Sequence, residues 1–336
     1  MSARRSNSPM VTVITPVLNA VSTIELTLRS VAAQRYDRLE HIVVDGGSTD
    51  GTIDVLKSFR STAPFRWTTS LDAGMYAAIN KGITMARGDI LAYLNADDLY
   101  FPWTLECVVP PLGSHGTDLV FGDILMIARR ETRTKSAWMQ FYPEFDSRIY
   151  AFEVIMGQPS VFWKRHVSDT IGGFDDRLRY SGDFEYWLRA AAAGFKYRKI
   201  DEVLAVEVQH EGALSTLYPE RVRDEILWVR RGLVFQPRVF PRLRRYERLL
   251  GWRAAVLRFA LNSWQREPAR WKNGIRFLRS ANVRVRPFDA MMLLLPIGLP
   301  ATWSLWRGDA GRIESTLLKE ISEFSPRPPT TASPDN

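Results

Sequence analysis

The chain has 336 residues, of which 46% are hydrophobic and 24% are charged, and this composition is ordinary for a globular protein with a sizeable core. Its single cysteine, Cys107, excludes an intramolecular disulfide and fits a reducing compartment. The net charge of +8 comes mainly from the arginine-rich segment 221–286, which indicates an anionic partner for that segment. No apolar signal-peptide segment follows the basic N-terminus, so we expect the bulk of the chain in the cytoplasm.

Strands and helices are predicted to alternate over the first part of the chain. Apolar, β-branched runs predict strands at 11–15, 41–44, 67–70 and 90–94, and helical spacing predicts helices at 22–31, 52–59 and 75–86. This β-α-β-α-β-α-β order with short connections predicts a mostly parallel sheet flanked by helices. Ligands bind such sheets at the carboxyl ends of the strands, where Thr15, Asp45, Asp72 and residues 95–98 are all expected.

The later part of the chain is less regular. We predict strands within 118–128 and 196–209 and a helix from Gly182 to Ala193. The predicted organisation is a flexible N-terminus (1–9), an α/β domain (10–215), a helical basic extension (216–324) and a disordered Pro/Ser/Thr-rich tail (325–336).

Two adjacent carboxylates, Asp97 and Asp98, follow the strand at 90–94. Oxygen ligands suit Mg²⁺ or Mn²⁺, and a metal there would neutralise the charge of a departing nucleotide. The alternative is that the pair caps a helix beginning after Phe101.

Three further positions are candidate site residues. The loop 46–51 lacks the Lys-Ser/Thr ending of a P-loop, and it either lets Asp45 face a ligand or is an ordinary β-α turn. Asp183 lies at the start of a helix, where an ionised carboxylate facing a cleft suits a general base. His210, taken alone, is more typical of a surface or core histidine.

Six motifs occur in one order along the chain. They are VITPVLN at 13–19, VDGGSTDGT at 44–52, DAGMYAAINKG at 72–82, GDILAYLNADD at 88–98, GGFD at 172–175 and GDFEYWLR at 182–189. With them the chain resembles the family 2 glycosyltransferases, which have a GT-A fold, over about residues 10–215. The second and fourth motifs are most similar to those of members that build bacterial surface polysaccharides.

The resemblance implies a role for each matching position. Thr15 and Pro16 would line the pocket for the nucleotide base, and Asp45 would form a hydrogen bond with that nucleotide base. Asp72 and Asn80 would lie near the nucleotide and its diphosphate. Asn95 and Asp97 occupy the family's Asp-x-Asp positions, with Asp97 as metal ligand and His210 completing the metal shell. Asp183 matches the catalytic base. Because Asn95 departs from the family pattern, we expect Asn95→Asp to be tolerated and Asp97→Asn not.

The predicted function is that of an inverting glycosyltransferase with a Mg²⁺ or Mn²⁺ cofactor. The donor is a nucleoside-diphosphate sugar, with UDP as the expected nucleotide, and the acceptor is a hydroxyl of a saccharide or a lipid-linked molecule in cell-surface polysaccharide synthesis. One alternative is a sugar-nucleotide-binding scaffold with weakened catalysis. Another is a nucleotidyltransferase, although residues 17–20 lack the glycine-rich basic loop that such enzymes carry.

The extension raises the question of a membrane. Residues 290–306 are uncharged but shorter than a span of about 20 residues, and Pro296 and Pro300 interrupt them. With the Arg- and Trp-rich helices before it, this segment predicts a peripheral protein on the anionic inner face of the cell membrane. The alternative is that these helices pack on the catalytic domain. No nucleic-acid partner is expected.

Overall fold

The computed structural model describes residues 8–61, 63–69, 71, 74–130, 133–151, 154–234 and 319. The strands are β1 (Val11–Val17), β2 (Leu39–Asp45), β3 (Phe65–Thr69), β4 (Ile90–Tyr93), β5 (Leu99–Tyr100), β6 (Leu119–Arg130), β7 (Arg133–Gln140), β8 (Phe162–Lys164) and β9 (Tyr197–Gln209). The helices are α1 (Ile24–Ala32), α2 (Thr52–Ser58), α3 (Met75–Met85), α4 (Thr104–Gly113), α5 (Ser147–Tyr150), α6 (Arg165–Ile171), α7 (Gly182–Ala192), α8 (Leu214–Leu217) and α9 (Pro219–Val229). A 3₁₀ turn (Gln158–Ser160) and a π-helical turn (Arg230–Val234) complete the described elements.

The described strands form one sheet in the order β3-β2-β1-β4-β8-β6-β9-β5, with β7 paired to β6. The predicted parallel half is present, because β1 pairs in parallel with both β2 and β4, and β2 with β3. The register places Val17 opposite Asp45, and Asp45 opposite Thr69, so these strands end at one edge of the sheet. Every residue of β1 and β2 is buried, as expected for strands covered on both faces.

The second half of the sheet is mixed. Here β8 is antiparallel to β4 and β6, β5 is antiparallel to β9, and β6 runs parallel to β9. A buried ion pair joins the long parallel pair, because Lys199 Nζ in β9 lies 2.9 Å from Asp123 Oδ1 in β6. Both side chains are almost completely buried, so each charge requires the other.

Helix α3 packs closely against the parallel strands. A Cβ atom at Gly82 would lie 2.4 Å from Ile14 Cγ2, so only glycine allows this approach of helix and strand. The consequence is that the N-terminal end of α3, which begins at Met75, lies beside the strand ends.

Residues after the predicted domain boundary at 215 pack on the same body. The carboxylate of Glu225 in α9 accepts hydrogen bonds from the loop before α7, and Arg230 Nε donates to the Ala151 carbonyl oxygen at 2.9 Å. The boundary itself stays a prediction. No helix in the described part of the chain is both long and apolar enough to span a membrane. The apolar segment 290–306, the remainder of the extension after 234 except residue 319, the tail and residues 1–7 lie outside the described residues.

Candidate active site

The strand ends open into a cavity of about 1770 Å³. Its walls include Pro16 in β1, Asn95 and Asp97 after β4, Glu207 in β9 and Asp183 in α7. Parallel pairing brings the carboxyl ends of β1, β2 and β4 together, and ligands bind at such edges. This cavity is the candidate active site.

Two acceptors hold the side chain of Asn95. Its Nδ2 donates to Asp98 Oδ2 at 3.3 Å and to Gln158 Oε1 at 3.1 Å. Gln158 is itself oriented, because its Nε2 donates to the Tyr93 carbonyl oxygen at 2.9 Å. Within the described residues, the oxygen Oδ1 of Asn95 is buried and has no hydrogen-bond partner. Both amide protons of Asn95 are therefore used within the protein, and its remaining acceptor is buried.

The neighbouring acids Asp97 and Asp98 have different surroundings. Asp98 is buried, and its Oδ1 accepts a hydrogen bond from the Val208 backbone nitrogen at 3.0 Å. Burial, and then the negative charges of Asp97 and Glu207, raise the pKa of Asp98 well above its ordinary value. Neither acid caps a helix, because β5 follows them and α4 begins only at Thr104. The helix-cap interpretation of the pair is wrong.

Asp97 and His210 meet at the cavity wall from positions far apart in the sequence. His210 Nε2 lies 2.8 Å from Asp97 Oδ2, and both side chains are partly exposed. The hydrogen bond to Asp97 raises the pKa of His210, and its partial burial opposes this shift. The resemblance predicted this pairing, and neither residue alone would have indicated it.

The pair fits a divalent cation that takes most of its ligands from elsewhere. In the described part of the chain, no group of three or more His, Cys, Asp or Glu side chains is arranged to hold a metal. Asp97 Oδ2 and His210 Nε2 are two possible ligands on neighbouring positions of the wall, and the proton shared in their 2.8 Å hydrogen bond would leave when a metal binds. Mg²⁺ characteristically binds through one or two carboxylates plus substrate phosphates. The residues present therefore fit a metal shared with a diphosphate.

Asp183 lies in the first turn of α7 and faces the cavity. Tyr76 Oη donates to Asp183 Oδ1 at 3.4 Å, and the Phe184 backbone nitrogen donates to the same oxygen at 2.8 Å. Burial raises the pKa of Asp183, and these hydrogen bonds oppose the rise. Gly182 lets Tyr76 approach, because a Cβ there would lie 2.6 Å from the tyrosine ring. The carboxylate is thus fixed in place and more basic than an ordinary aspartate.

Glu207 is a site residue that the sequence reasoning missed. It lies in β9 on the cavity wall, and its carboxylate has no hydrogen-bond or ion-pair partner within the described residues. Burial raises its pKa to about 7, and the charges of Asp183 and Asp97 add to the shift. The available signal was an acid between Val206 and Val208 inside an apolar strand.

Two of the predicted donor-binding residues face away from the cavity wall. Thr15 is buried in β1, where its Oγ1 lies 2.9 Å from His41 Nε2. Asp45 is buried at the end of β2, and its Oδ2 accepts hydrogen bonds from the backbone nitrogens of Gly47 and Ser48, both at 3.1 Å. In this structure Asp45 organises the turn after β2, which agrees with the β-α turn interpretation of that loop.

Asn80 is also used internally. Its Nδ2 donates to the Phe174 carbonyl oxygen at 2.8 Å, and its Oδ1 accepts from the Phe174 backbone nitrogen at 2.8 Å. It therefore joins α3 to the GGFD turn at 172–175 and does not line the cavity. Asp72 lies outside the described residues.

Glu225 in α9 is a second residue that the sequence reasoning missed. Its carboxylate accepts hydrogen bonds from the backbone nitrogens of Arg179, Tyr180 and Ser181 at 2.9, 2.8 and 2.9 Å. This contact fixes the loop that leads directly into α7 and Asp183. No local pattern indicated it, because the partners are more than 40 residues apart.

Comparison with known proteins identifies the family. The sequence profile described as glycosyl transferase family 2 matches residues 12–170. The glycosyltransferase AglE of Haloferax volcanii is 31% identical over 209 residues, which are 59% of this chain and 67% of that protein. The chain belongs to glycosyl transferase family 2. It is thus a glycosyltransferase, and the family predicted from the motifs is confirmed.

Other glycosyltransferases are similar over a longer part of the chain. A Mycobacterium tuberculosis protein described as a PGL/p-HBAD biosynthesis glycosyltransferase is 29% identical, covering 77% of this chain and 98% of its own. The structure of S. aureus TarS 1–349 in complex with UDP-GlcNAc superposes with a TM-score of 0.54 at 17% identity, over 94% of this chain and 92% of that one. A mannosyltransferase from Pyrobaculum calidifontis, in complex with GDP-Man and Mn²⁺, gives 0.54 at 19% identity, over 95% and 88%. This family 2 chain therefore has the predicted GT-A type fold.

Proposed function

We propose that this family 2 glycosyltransferase inverts the anomeric centre of a nucleoside-diphosphate sugar, with UDP as the expected nucleotide and Asp183 as the general base. The observation that carries the proposal is the Asp183 carboxylate in the cavity, fixed by Tyr76 and with a raised pKa. A raised pKa makes the carboxylate a better proton acceptor.

In a single displacement, the acceptor oxygen forms a bond to the anomeric carbon while the bond from that carbon to the diphosphate breaks. The acceptor hydroxyl gives its proton to Asp183, and the nucleoside diphosphate leaves with the bonding electrons. Attack and departure on opposite faces of the sugar invert its configuration. Tyr76 keeps Asp183 oriented through the 3.4 Å hydrogen bond, and the backbone nitrogen of Phe184 fixes the same oxygen.

The donor would bind at the strand-end side of the cavity. Pro16, Asn95 and Asp97 line this side. We propose that Thr15, Asp45 and Asn80 support the donor site indirectly, since the side chain of each forms hydrogen bonds with other residues of the protein. The donors bound by TarS and the Pyrobaculum enzyme, UDP-GlcNAc and GDP-Man, support a nucleotide sugar.

Asp97 and His210 would hold a divalent cation, Mg²⁺ or Mn²⁺. When bound, such an ion neutralises charge that develops on the leaving diphosphate. The Mn²⁺ in the Pyrobaculum complex and the neighbouring positions of the two side chains support this assignment.

We further propose a saccharide or lipid-linked acceptor, a role in cell-surface polysaccharide synthesis and attachment to the inner face of the membrane through the basic extension. The excess of arginine after residue 221 supports an anionic surface as partner. Flotation of the full-length chain with anionic liposomes tests the attachment, and protein that stays at the bottom of the gradient contradicts it.

The catalytic proposal is tested by nucleotide release from a panel of UDP- and GDP-linked sugars with Mn²⁺, with water and mixed saccharides as acceptors. We expect release from at least one donor, lowered about a hundredfold or more by Asp183→Asn. Asp97→Ala should also lower it, while Asp54→Asn, at an exposed carboxylate on α2, serves as the matched control. Normal turnover in both site variants contradicts the assignment.

The products separate the alternatives. NMR of the first anomer released tests inversion, and a retained configuration contradicts the single displacement. Pyrophosphate release from a nucleoside triphosphate and a sugar phosphate would support a nucleotidyltransferase. Binding of UDP or GDP without turnover of any donor or acceptor would support the weakened scaffold.

A further inference from the structure

Two arginines and two tyrosines form a group on the cavity wall next to α7: Arg179, Tyr180, Tyr218 and Arg221. The guanidinium carbon of Arg221 lies 5.1 Å from the centroid of the Tyr218 ring, and its Nη1 lies 3.4 Å from Tyr180 Oη. The two tyrosine rings are 5.7 Å apart with an interplanar angle of 55°. We call these four residues the Arg–Tyr wall.

The two arginines of this wall lack a carboxylate partner within the described residues, whereas nearby arginines have one. Arg177 Nη2 lies 2.6 Å from Asp175 Oδ2, and Arg189 Nε lies 2.7 Å from Glu185 Oε1. The Glu225 carboxylate also contacts the wall, but it accepts hydrogen bonds from backbone nitrogens and not from an arginine side chain. Two positive charges that face a cavity without a counter-ion favour an anionic ligand.

The Arg–Tyr wall is held in place before any ligand binds. Glu225 accepts three backbone hydrogen bonds from residues 179–181, and Ser181 Oγ donates to the Val222 carbonyl oxygen at 3.3 Å. These contacts join the loop that carries Arg179 and Tyr180 to the helix that carries Arg221. The backbone that carries the wall is therefore fixed, and the Arg221 side chain is oriented by Tyr180 and Tyr218, which lowers the cost of binding a ligand.

The wall lies next to Asp183, the proposed general base. Arg179 and Tyr180 come directly before α7, whose first turn carries Asp183. The proposed donor residues Pro16, Asn95 and Asp97 instead lie at the strand ends of the sheet. A hydroxyl that gives its proton to Asp183 would thus place the rest of the acceptor next to the Arg–Tyr wall.

We propose that the Arg–Tyr wall is the acceptor subsite and that the acceptor carries an anionic group, a phosphate or a carboxylate, beside the sugar ring that bears the attacking hydroxyl. Guanidinium groups bind phosphate and carboxylate through paired hydrogen bonds, and tyrosine rings give a flat apolar surface to a sugar ring. This inference rests on the proposed function, because it requires Asp183 to act on the acceptor.

The test uses the full-length protein with its donor site saturated by UDP and Mn²⁺. Calorimetric titration with glucose 6-phosphate, glucuronate and glucose compares a phosphate, a carboxylate and a neutral sugar. We expect at least one anionic sugar to bind about tenfold or more tightly than glucose, because hydrogen bonds to charged groups are stronger than those between neutral groups. Comparison of glucose 6-phosphate with glucuronate shows whether the wall binds a phosphate or a carboxylate more tightly.

Variants assign the preference to the wall. Arg221→Ala and Arg179→Ala should each abolish most of the difference between anionic and neutral sugars. Arg223→Ala is the matched control, because Arg223 lies on the same helix, 3.7 Å from Asp224, and is not part of the wall. Thermal melts of all variants identify any loss of folding, and Arg221 is exposed, so its substitution should leave the fold intact.

Three outcomes would overturn the inference. The first is equal affinity of the wild type for all three sugars, and the second is a loss of affinity for the anionic sugar in Arg223→Ala equal to that in Arg221→Ala. The third is a loss of UDP affinity in Arg221→Ala as large as the loss of affinity for the anionic sugar. The last outcome would assign the arginines to the donor diphosphate. Failure of the proposed function is distinguishable, because it appears as absence of nucleotide release from every donor, whatever sugars bind.

Discussion

At the scale of single residues, Asn95 illustrates how a local hydrogen-bond pattern sets the effect of a substitution. Its Nδ2 donates to Asp98 Oδ2 at 3.3 Å and to Gln158 Oε1 at 3.1 Å. An ionised aspartate at position 95 cannot donate a hydrogen bond to Asp98 or Gln158, and it would add a carboxylate beside the buried Asp98. The tolerance of Asn95→Asp stays untested, and these hydrogen bonds lead us to expect a cost in stability instead.

We predict that Asn95→Asp lowers the free energy of unfolding by about 2 kcal/mol, the typical cost of leaving buried polar groups unpaired. Chemical denaturation of the wild type and the variant measures this change. Asn19→Asp is the matched control, because Asn19 uses only its Oδ1, which accepts a hydrogen bond from the Thr49 backbone nitrogen at 2.9 Å. Equal stability of the wild type and Asn95→Asp would contradict the prediction.

The raised pKa of Glu207 leads to a prediction of how the stability of the metal-free protein depends on pH. Burial, together with Asp183 and Asp97, raises its pKa from 4.5 to about 7. Between these values the unfolded chain has lost the proton and the native state still holds it, so the native state binds more protons. The contribution of Glu207 to stability is therefore complete below about pH 4.5 and is lost as the pH rises to about 7.

The Glu207→Gln variant has no carboxyl group at this position, so it does not lose this contribution to stability as the pH rises. We expect the variant to be more stable than the wild type at pH 8 by up to roughly 3 kcal/mol, with the difference falling towards zero at pH 4. Denaturant midpoints measured across this range with a chelator present give the answer. A difference that does not change with pH would show that the raised pKa of Glu207 does not control it.

At the scale of elements, α9 determines how the start of α7 is held. Three backbone nitrogens from residues 179–181 donate to the Glu225 carboxylate. The negative charge of Glu225 also adds to the effect of burial in raising the pKa of Asp183. We therefore propose that Glu225 is a positioning residue, which acts on catalysis through Asp183 and does not touch the substrate.

We predict that Glu225→Ala lowers kcat about tenfold, because a small displacement of the base costs this much or more, while the KM for the donor changes little. Glu225→Gln keeps one acceptor oxygen and should recover part of the activity. Removing the charge should also lower the pKa of Asp183, so the acidic limb of the kcat profile should move to lower pH in both variants.

Asp224→Asn is the control for this prediction, since Asp224 lies on the same helix with its side chain 3.7 Å from exposed Arg223. A purely structural role of Glu225 would lower the melting temperature without moving the pH profile. That result, or a kcat in Glu225→Ala equal to the wild-type value, would contradict the positioning role.

At the scale of the whole molecule, the candidate active site lies where the parallel half of the sheet meets the mixed half. Asp97 and His210 are 113 residues apart in the sequence and Tyr76 and Asp183 are 107 apart, yet each pair is in hydrogen-bond contact. The strand β9 makes this possible, because it pairs with β5 on one side and β6 on the other. The candidate base and the candidate metal ligands are therefore held on one continuous scaffold.

Several features followed from the sequence by itself. The alternation of apolar strands and amphipathic helices over residues 11–94 predicted the parallel half of the sheet, because each element has its own local periodicity. The strand ends predicted one ligand-binding edge, and the motifs predicted the family. The roles of Asp97, His210 and Asp183 also came from those motifs, and they stay predictions.

Only the tertiary structure decided the rest. Three of the predicted donor-binding residues form hydrogen bonds within the protein: Thr15, Asp45 and Asn80. The cavity is instead lined by Glu207 and the Arg–Tyr wall, and Glu225 supports the loop before α7. A local pattern reports which face of an element is apolar, but it does not report which distant element covers that face. The pairing of β6 with β9 and the docking of α9 on the loop before α7 are such long-range contacts. They determine which polar side chains face the cavity, because burial and hydrogen bonding depend on neighbours that are distant in the chain.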